Sequence, residues 1–406
     1  MAAALFDKSR HEPLAQIGWD ESRARQWIEA IADDADAHFS TERLWAAHPL
    51  DLDGEPAGEP FTSLYFGAAG VVWALDALVR TGFAAALRDW RVLMPSLRER
   101  NVREVEQMGW GVDSLLMGQG GIALLDYRLT PDAARADAVA CCVERNAGHP
   151  SNELMWGAPG TLHAALALHE ATGERRWAGA FTAGANALAA SFEYDERVGC
   201  RLWQQQLYGD RVCYIGAAHG FAGNAGTIVR GLRLLDDAST RMWSDAIVET
   251  VQRTALRDDT LANWPAFVGP RQMLVQWCHG APGVIACVAG LADARLDTLL
   301  EAAGELVWRA GPLVKGANLC HGTAGNGFAF LKLYRRSGDE RWLARARAFA
   351  MHAIAQSDRD LTRYGQRRYS LWTGDPGVAL YVAACIDRRD ELPLLDAEAA
   401  MRGAPR

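Results

Sequence analysis

Lysine is almost missing from this chain: of 406 residues only Lys8, Lys315 and Lys332 carry an ammonium, and arginine supplies the other positive side chains. The formal net charge is -8, and no run of Lys or Arg is interleaved with aromatics. That argues against the broad basic field of a nucleic-acid binder. Long hydrophobic runs are also lacking. None reaches the ~18 residues that span a bilayer, and "MAAALFDKSRHEP" holds too short an apolar stretch for a secretory signal. A soluble, cytoplasmic protein without membrane insertion is expected. Cysteine is sparse as well, with eight in the chain, far below the density of a disulfide scaffold. Cys141, Cys142, Cys213, Cys287 and Cys385 lie in apolar segments and read as buried thiols.

What the chain does have is hydrophobic residues, half of the total. That is enough for a large core, organised as two domains or as one closed array. The array is favoured by an internal repeat. A Gly-x-x-Gly unit occurs seven times, each time ahead of an apolar run: "YFGAAGVVWAL", "LMGQGGIALL", "MWGAPGTLHAAL", "AHGFAGNAGTI", "CHGAPGVIACV", "CHGTAGNGFAF" and "WTGDPGVALYV". The first glycines are Gly67, Gly118, Gly157, Gly220, Gly280, Gly322 and Gly374, spaced 39 to 63 residues apart, an interval that suits two helices and their loops. Stretches between the units, such as "DERWLARARAFAMHAIAQ", have helical periodicity with a charged face and read as outer helices. The post-glycine runs are apolar nearly all round and read as inner ones. Seven outer-inner pairs in one sense predict an all-α fold, an α/α toroid of about fourteen helices. Residues 1–60 are expected to form an opening outer helix and a loop, and the seven units to run from 61 to about 390 in a single domain. All seven inner helices would then start at one mouth, where their dipoles favour anions and thiolates.

Because the seven turns are equivalent, they can be compared with one another. Immediately before each first glycine stand Phe66, Met117, Trp156, His219, His279, His321 and Thr373; one residue further back stand Tyr65, Leu116, Met155, Ala218, Cys278, Cys320 and Trp372. Three histidines and two cysteines fall in copies four, five and six, which should be neighbours on one arc of the mouth. A lone Cys-His-Gly is a weak signal. Two of them at equivalent positions, beside a third histidine, match the thiolate and imidazole donors of Zn²⁺. Cys278, Cys320 and one histidine give three protein ligands and an open fourth position, the pattern of a catalytic zinc. Symmetry alone does not choose between His279 and His321.

The segments "NWPAFVGPRQMLVQWCHGAPGVI", "KGANLCHGTAGNGFAFL", "YIGAAHGFAG" and "SNELMWG" resemble the lanthionine synthetase C-like family, which includes the bacterial lanthipeptide cyclases and their eukaryotic relatives. The resemblance runs over nearly the whole chain and is closer to the eukaryotic, glutathione-handling branch. It implies zinc on Cys278, Cys320 and His321, with His219 at the position of the family's proton-transfer histidine and Glu153 where the cyclases carry an acidic residue. His279 stands where cyclases commonly have Tyr, and Leu274 where they have an active-site Arg, two departures from a ring-closing site. Lys315 and Arg363 match basic residues that the resemblance associates with glutathione, and Arg271 fits the same pattern.

The reaction so implied is addition of a thiol, glutathione or a peptide cysteine, to dehydroalanine or dehydrobutyrine in a peptide. The enolate formed needs a proton, for which His219 and His279 are the candidates. Within the same chemistry the alternative is a cyclase forming thioether rings. Two readings of other classes are a noncatalytic glutathione or peptide binder, with His279 closing the zinc shell, and a toroid glycosidase. The last would require two carboxylates ~5 to 9.5 Å apart, and the turns offer only Glu153 and Asp375. His163 and His169 read as core or rim histidines, "YGDRVCY" as a loop near the mouth, and Gln204, Gln205 and Gln206 as polar enough to line a cleft.

Overall fold

Every one of the seven glycine turns starts a helix, and each first glycine is its N-cap. The computed structural model describes residues 5–52, 59–85, 88–109, 111–258, 260–269 and 272–396; Arg271 lies outside them. Among the described residues fourteen α-helices follow in order: α1 (Glu21–Ala37), α2 (Ala68–Arg80), α3 (Met94–Met108), α4 (Gln119–Leu129), α5 (Ala133–Asn146), α6 (Ala158–Thr172), α7 (Arg175–Ala190), α8 (Phe221–Gly231), α9 (Asp237–Thr254), α10 (Ala281–Val288), α11 (Asp297–Ala310), α12 (Thr323–Ser337), α13 (Glu340–Tyr364) and α14 (Asp375–Asp387). The even-numbered helices are inner. Each touches the next, and α14 touches α2, which closes the ring. The odd-numbered helices form the outer layer of an α/α toroid.

The two layers differ as their sequences do. In α12 the residues from Thr323 to Leu333 are all buried, whereas α13 buries a stripe that includes Trp342, Ala346, Phe349 and Ala353 and turns its charges outward. Outer helices α1, α5, α9 and α13 begin at an aspartate that accepts a backbone N–H of the first turn, as exposed helix ends require. No inner helix is capped by the side chain of its own N-cap residue, a glycine. In five of them the preceding loop folds back, and the first amide bonds to a carbonyl seven residues upstream: Ala68 to Phe61, Gln119 to Val112, Ala222 to Ile215, Ala324 to Ala317 and Asp375 to Arg368. In α10 the Ala281 amide donates instead to Asn263 Oδ1 at 2.7 Å. The inner N-termini share one end, and these six leading N–H groups are paired there.

The second glycine of each unit has a packing role. A Cβ on Gly70, Gly121, Gly160, Gly223, Gly283, Gly325 or Gly377 would lie 1.8 to 2.2 Å from the carbonyl oxygen six residues before it. The same Cβ would also meet the preceding turn around the ring, as Gly283 meets Ala217, Gly325 meets Trp277 and Gly70 meets Leu371 across the closure. Close approach of backbones is therefore the main requirement. Left-handed backbone is needed at one of the first glycines, Gly280, with φ 104°.

Three two-stranded hairpins accompany the helices: β1 (Glu193–Asp195) with β2 (Cys200–Leu202), β3 (Gln205–Leu207) with β4 (Asp210–Val212), and β5 (Leu256–Arg257) with β6 (Ala262–Asn263). The opposite end of the ring is stoppered by the segment after α14, where Lys332 pairs with Asp396 at 2.8 Å and Asp390 at 3.2 Å, and Arg230 donates to the Leu394 carbonyl. His163 is buried there between Thr227 and Arg230, and His169 sits at the rim against the Glu174 carbonyl. Of the cysteines expected to be buried, Cys142, Cys213 and Cys385 are, Cys287 is half-buried, and Cys141 is exposed on the outward face of α5. No helix among the described residues is long and apolar enough to cross a membrane.

Two glycine substitutions should move stability in opposite directions. Gly325→Ala forces a Cβ against backbone and is expected to destabilise by ~3 kcal/mol or more. Gly179→Ala, in α7 with nothing within 4 Å of the added Cβ, should stabilise by ~0.5–1 kcal/mol. Urea unfolding of both variants measures the pair.

Candidate active site

The turns ahead of the inner helices are stitched to one another by backbone hydrogen bonds between residues at the same repeat position. Ala218 N–H donates to Cys278 C=O at 3.3 Å, Cys278 to Cys320 at 3.0 Å, Cys320 to Trp372 at 2.9 Å, Trp372 to Tyr65 at 3.2 Å and Tyr65 to Leu116 at 2.9 Å. This belt brings Cys278 and Cys320 side by side, both buried, close enough for each thiol to act on the acidity of the other. That contact lowers the pKa of Cys278, with Gln276 Nε2 donating to its sulfur at 2.9 Å and the His219 charge assisting. It correspondingly raises Cys320, an effect that the Tyr65 hydroxyl partly offsets. Cys278 is thus the more acidic member of the pair.

His321 follows Cys320, its backbone N–H fixed by Asn318 Oδ1 at 2.9 Å. Burial, then Lys315 and Arg368, push its pKa down to about 3, so its imidazole is neutral. A neutral imidazole beside two thiols is a donor set that suits Zn²⁺ in kind. Among the described residues, no three His, Cys, Asp or Glu side chains are drawn together into a ligand cage. The thiol pair is formed, and His321 stands next in sequence outside it.

Across from the thiols lies a second constellation. Glu153 is completely buried, and its carboxylate accepts from Met155 N–H at 2.9 Å, from Trp156 N–H at 2.6 Å and from His219 Nδ1 at 2.8 Å. Burial works to lower the pKa of His219, but the hydrogen bond and charge of Glu153, with Cys278, outweigh it and hold the value above that of an ordinary histidine. His279 lies 6.3 Å from His219 between ring centroids. Burial and the His219 charge press its pKa to about 4, and its Nδ1 is buried without a hydrogen-bond partner among the described residues. The two imidazoles are therefore shifted in opposite directions, His219 toward the protonated form and His279 toward the neutral one.

Lys315 is exposed beside this site and makes no hydrogen bond or ion pair among the described residues, yet its charge acts on Cys278, Cys320 and His321. It lines a polar cavity with His48, Asn318, Asp360, Arg368 and Thr373. Arg363 is not in that lining. It is exposed at the end of α13, its guanidinium 5.2 Å from the Tyr364 ring. The arginine in the cavity is Arg368, held by Asp51 through Nε at 2.9 Å and through Nη2. Glu153 and Asp375 have different partners, Glu153 holding His219 and Asp375, at the start of α14, accepting from Ser357.

Sequence comparison missed Tyr65, Gln276, Arg368 and Arg10. Tyr65 was legible in retrospect, as a hydroxyl at the repeat position of Cys278 and Cys320. Arg10 was not. It lies on an N-terminal segment that crosses to the Lys315 loop, where His11 pairs with Leu313 and Val314 N–H donates to Arg10 C=O. From there Arg10 reaches Gln276 Oε1 at 3.5 Å.

The family model for "Lanthionine synthetase C-like protein" matches residues 3–396. Glutathione S-transferase LANCL1 of Danio rerio is 35% identical over 182 residues, 42% of this chain and 42% of that protein. LanC-like protein GCL1 of Arabidopsis thaliana is 33% identical over 251 residues, 56% of this chain and 53% of that one. The chain thus spans about half the length of these two relatives, or less. Among solved structures, nisin cyclase superposes with a TM-score of 0.59 at 16% identity, over 89% of this chain and 93% of that one, a likeness of fold.

Removing the carboxylate tests the second constellation. Glu153→Ala leaves two buried N–H groups without an acceptor and should cost ~3 kcal/mol in urea unfolding. A raised His219 pKa stabilises the fold below the ordinary histidine value of ~6.5, and that contribution is lost as pH rises through the raised value. In Glu153→Gln the His219 pKa, read by NMR of histidine-labelled protein, should fall, and this pH dependence of stability should flatten.

Proposed function

The chain belongs to the lanthionine synthetase C-like family, and on that premise we propose that it catalyses zinc-dependent addition of a thiol, preferably glutathione, to dehydroalanine or dehydrobutyrine residues of a peptide. The observation that carries this reading is the meeting of the Cys278–Cys320 thiol pair with the Glu153-held His219. The printed name of the Danio rerio relative supports glutathione as the thiol. Leu274, buried where the cyclases have Arg, supports transfer over ring closure.

Cys278, Cys320 and His321 would hold one Zn²⁺, and three protein donors leave a fourth position for substrate. When bound, the ion supplies acidity to a thiol that otherwise titrates near ~8.5. The chain's own residues do the rest. Lys315 pairs with a glutathione carboxylate, with Arg368 in the same cavity. Attack forms a bond from sulfur to the β-carbon, breaks the C=C π bond and moves that electron pair onto the neighbouring carbonyl as an enolate. His219 gives a proton to the α-carbon, and the thiol's own proton leaves to solvent. Because Glu153 occupies Nδ1, Nε2 is the nitrogen left to carry the transferred proton. His279 stands beside it as a second imidazole through which the proton returns.

The test is intact mass spectrometry of a dehydrobutyrine peptide incubated with glutathione and zinc-loaded protein. A single-glutathione adduct is expected with the native protein, and in Cys320→Ala a loss of zinc by elemental analysis with a fall in adduct rate of ~100-fold or more. Adduct formation by Cys320→Ala without zinc would refute the metal role. Zinc-loaded protein that makes no adduct but closes a ring in a cysteine-containing peptide would identify a cyclase. Lys315→Ala should raise the glutathione KM by ~5–10-fold.

A further inference from the structure

The mouth has two chemically different sides. The arc of copies six and seven is charged and polar, with Lys315, Arg368, Asp360 and Asp375 around one cavity. The arc of copies three to five is aromatic. Ring centroids lie 6.0 Å apart for Tyr208 and His219, and 6.1 Å apart for Tyr214 with each of His219, His279 and Phe267.

Tyr208 is the anomaly on that arc. It sits at the tip of the β3–β4 hairpin, whose pairing ends at Leu207 and Asp210. The two turn residues are left-handed, with φ 52° at Tyr208 and 88° at Gly209, the mirror-image turn that fits a twisted hairpin. Its first position normally takes Asn, Asp or Gly, because a bulky side chain crowds the following carbonyl in left-handed backbone, at ~1–2 kcal/mol. Core burial does not offset this, since Tyr208 is 57% exposed. The side chain is nevertheless held in one place. Trp156 Nε1 donates to its hydroxyl at 3.3 Å, and the ring meets the His219 imidazole edge-on. A locally unfavourable, exposed aromatic fixed over the proton-transfer histidine points to a ligand.

We infer that Tyr208 is the contact residue for the acceptor peptide, stacking on the flat, conjugated dehydroamino-acid unit and setting specificity for it. The inference rests on the proposed thiol addition. A dehydroamino-acid residue is planar and uncharged through its C=C, carbonyl and amide groups, the shape an aromatic face binds. Glutathione carries carboxylates and an ammonium and belongs on the charged arc, beside Lys315 and Asp360. Seating the acceptor on the aromatic arc puts its α-carbon on the side of His219, where the proton is delivered.

Steady-state kinetics with acceptor peptide and glutathione varied separately test this in Tyr208→Asn and Tyr208→Phe, with thermal unfolding in parallel. Asn adopts left-handed backbone more readily than Tyr, so Tyr208→Asn should unfold at the same temperature or higher. Its acceptor KM should rise about tenfold, and its glutathione KM should stay within about twofold. Tyr208→Phe keeps the ring and should retain most of the acceptor affinity. An unchanged acceptor KM in Tyr208→Asn, or an equal rise in both KM values, would overturn the assignment. So would a rise accompanied by a lower unfolding temperature, because the ring would then be holding the hairpin. Native protein that binds no acceptor peptide and forms no adduct would overturn the proposed function and this inference with it.

Discussion

The structure depends on a belt of backbone hydrogen bonds that runs from Ala218 through Cys278, Cys320, Trp372 and Tyr65 to Leu116. These bonds form only if consecutive turns come within amide-to-carbonyl distance, and the second glycine of each unit permits that approach. A methyl at any of the seven would press on a carbonyl and on the neighbouring turn. The belt then does chemical work at no added structural cost. Residues that occupy its positions are placed side by side, whatever side chains they carry, which is how two cysteines 42 positions apart in sequence come to act on each other's acidity.

On this regular frame the side chains break the symmetry. Copy three contributes Glu153, which both ends its turn by accepting two amides and holds His219 of copy four. Copy five departs from the others. Gly280 is left-handed, Gln276 and His279 exchange backbone hydrogen bonds, and the Gln276 amide turns onto the Cys278 sulfur. Copy one adds the Tyr65 hydroxyl to Cys320. Each of these polar groups is buried and would be expensive alone; most are satisfied by a neighbour from another copy.

The same asymmetry separates the two substrates of the proposed reaction. Charge lies on one arc, with Lys315 unpaired among the described residues and Arg368 anchored by Asp51. Flat aromatic surface lies on the other. The thiol pair and His219 sit between them, so that an anionic thiol and a neutral conjugated acceptor approach the same point from opposite sides.

Much of this was legible in the chain itself. The repeat supplied seven internal copies, so the helix alternation, the shared mouth, the adjacency of Cys278 and Cys320 and that of His219 and His279 followed from register, a local property that periodicity encodes. The pairing of the leading helix amides within the turns did not follow, because it depends on each loop folding back on its own helix. Nor did the cavity position of Arg368 in place of Arg363, the exposure of Cys141, the reach of Arg10 to Gln276, or the seat of Tyr208 over His219. Each of these joins or orients segments with no common period. Closure of the ring decides them, since only then do residues hundreds of positions apart, such as Arg10 and Gln276, occupy one rim.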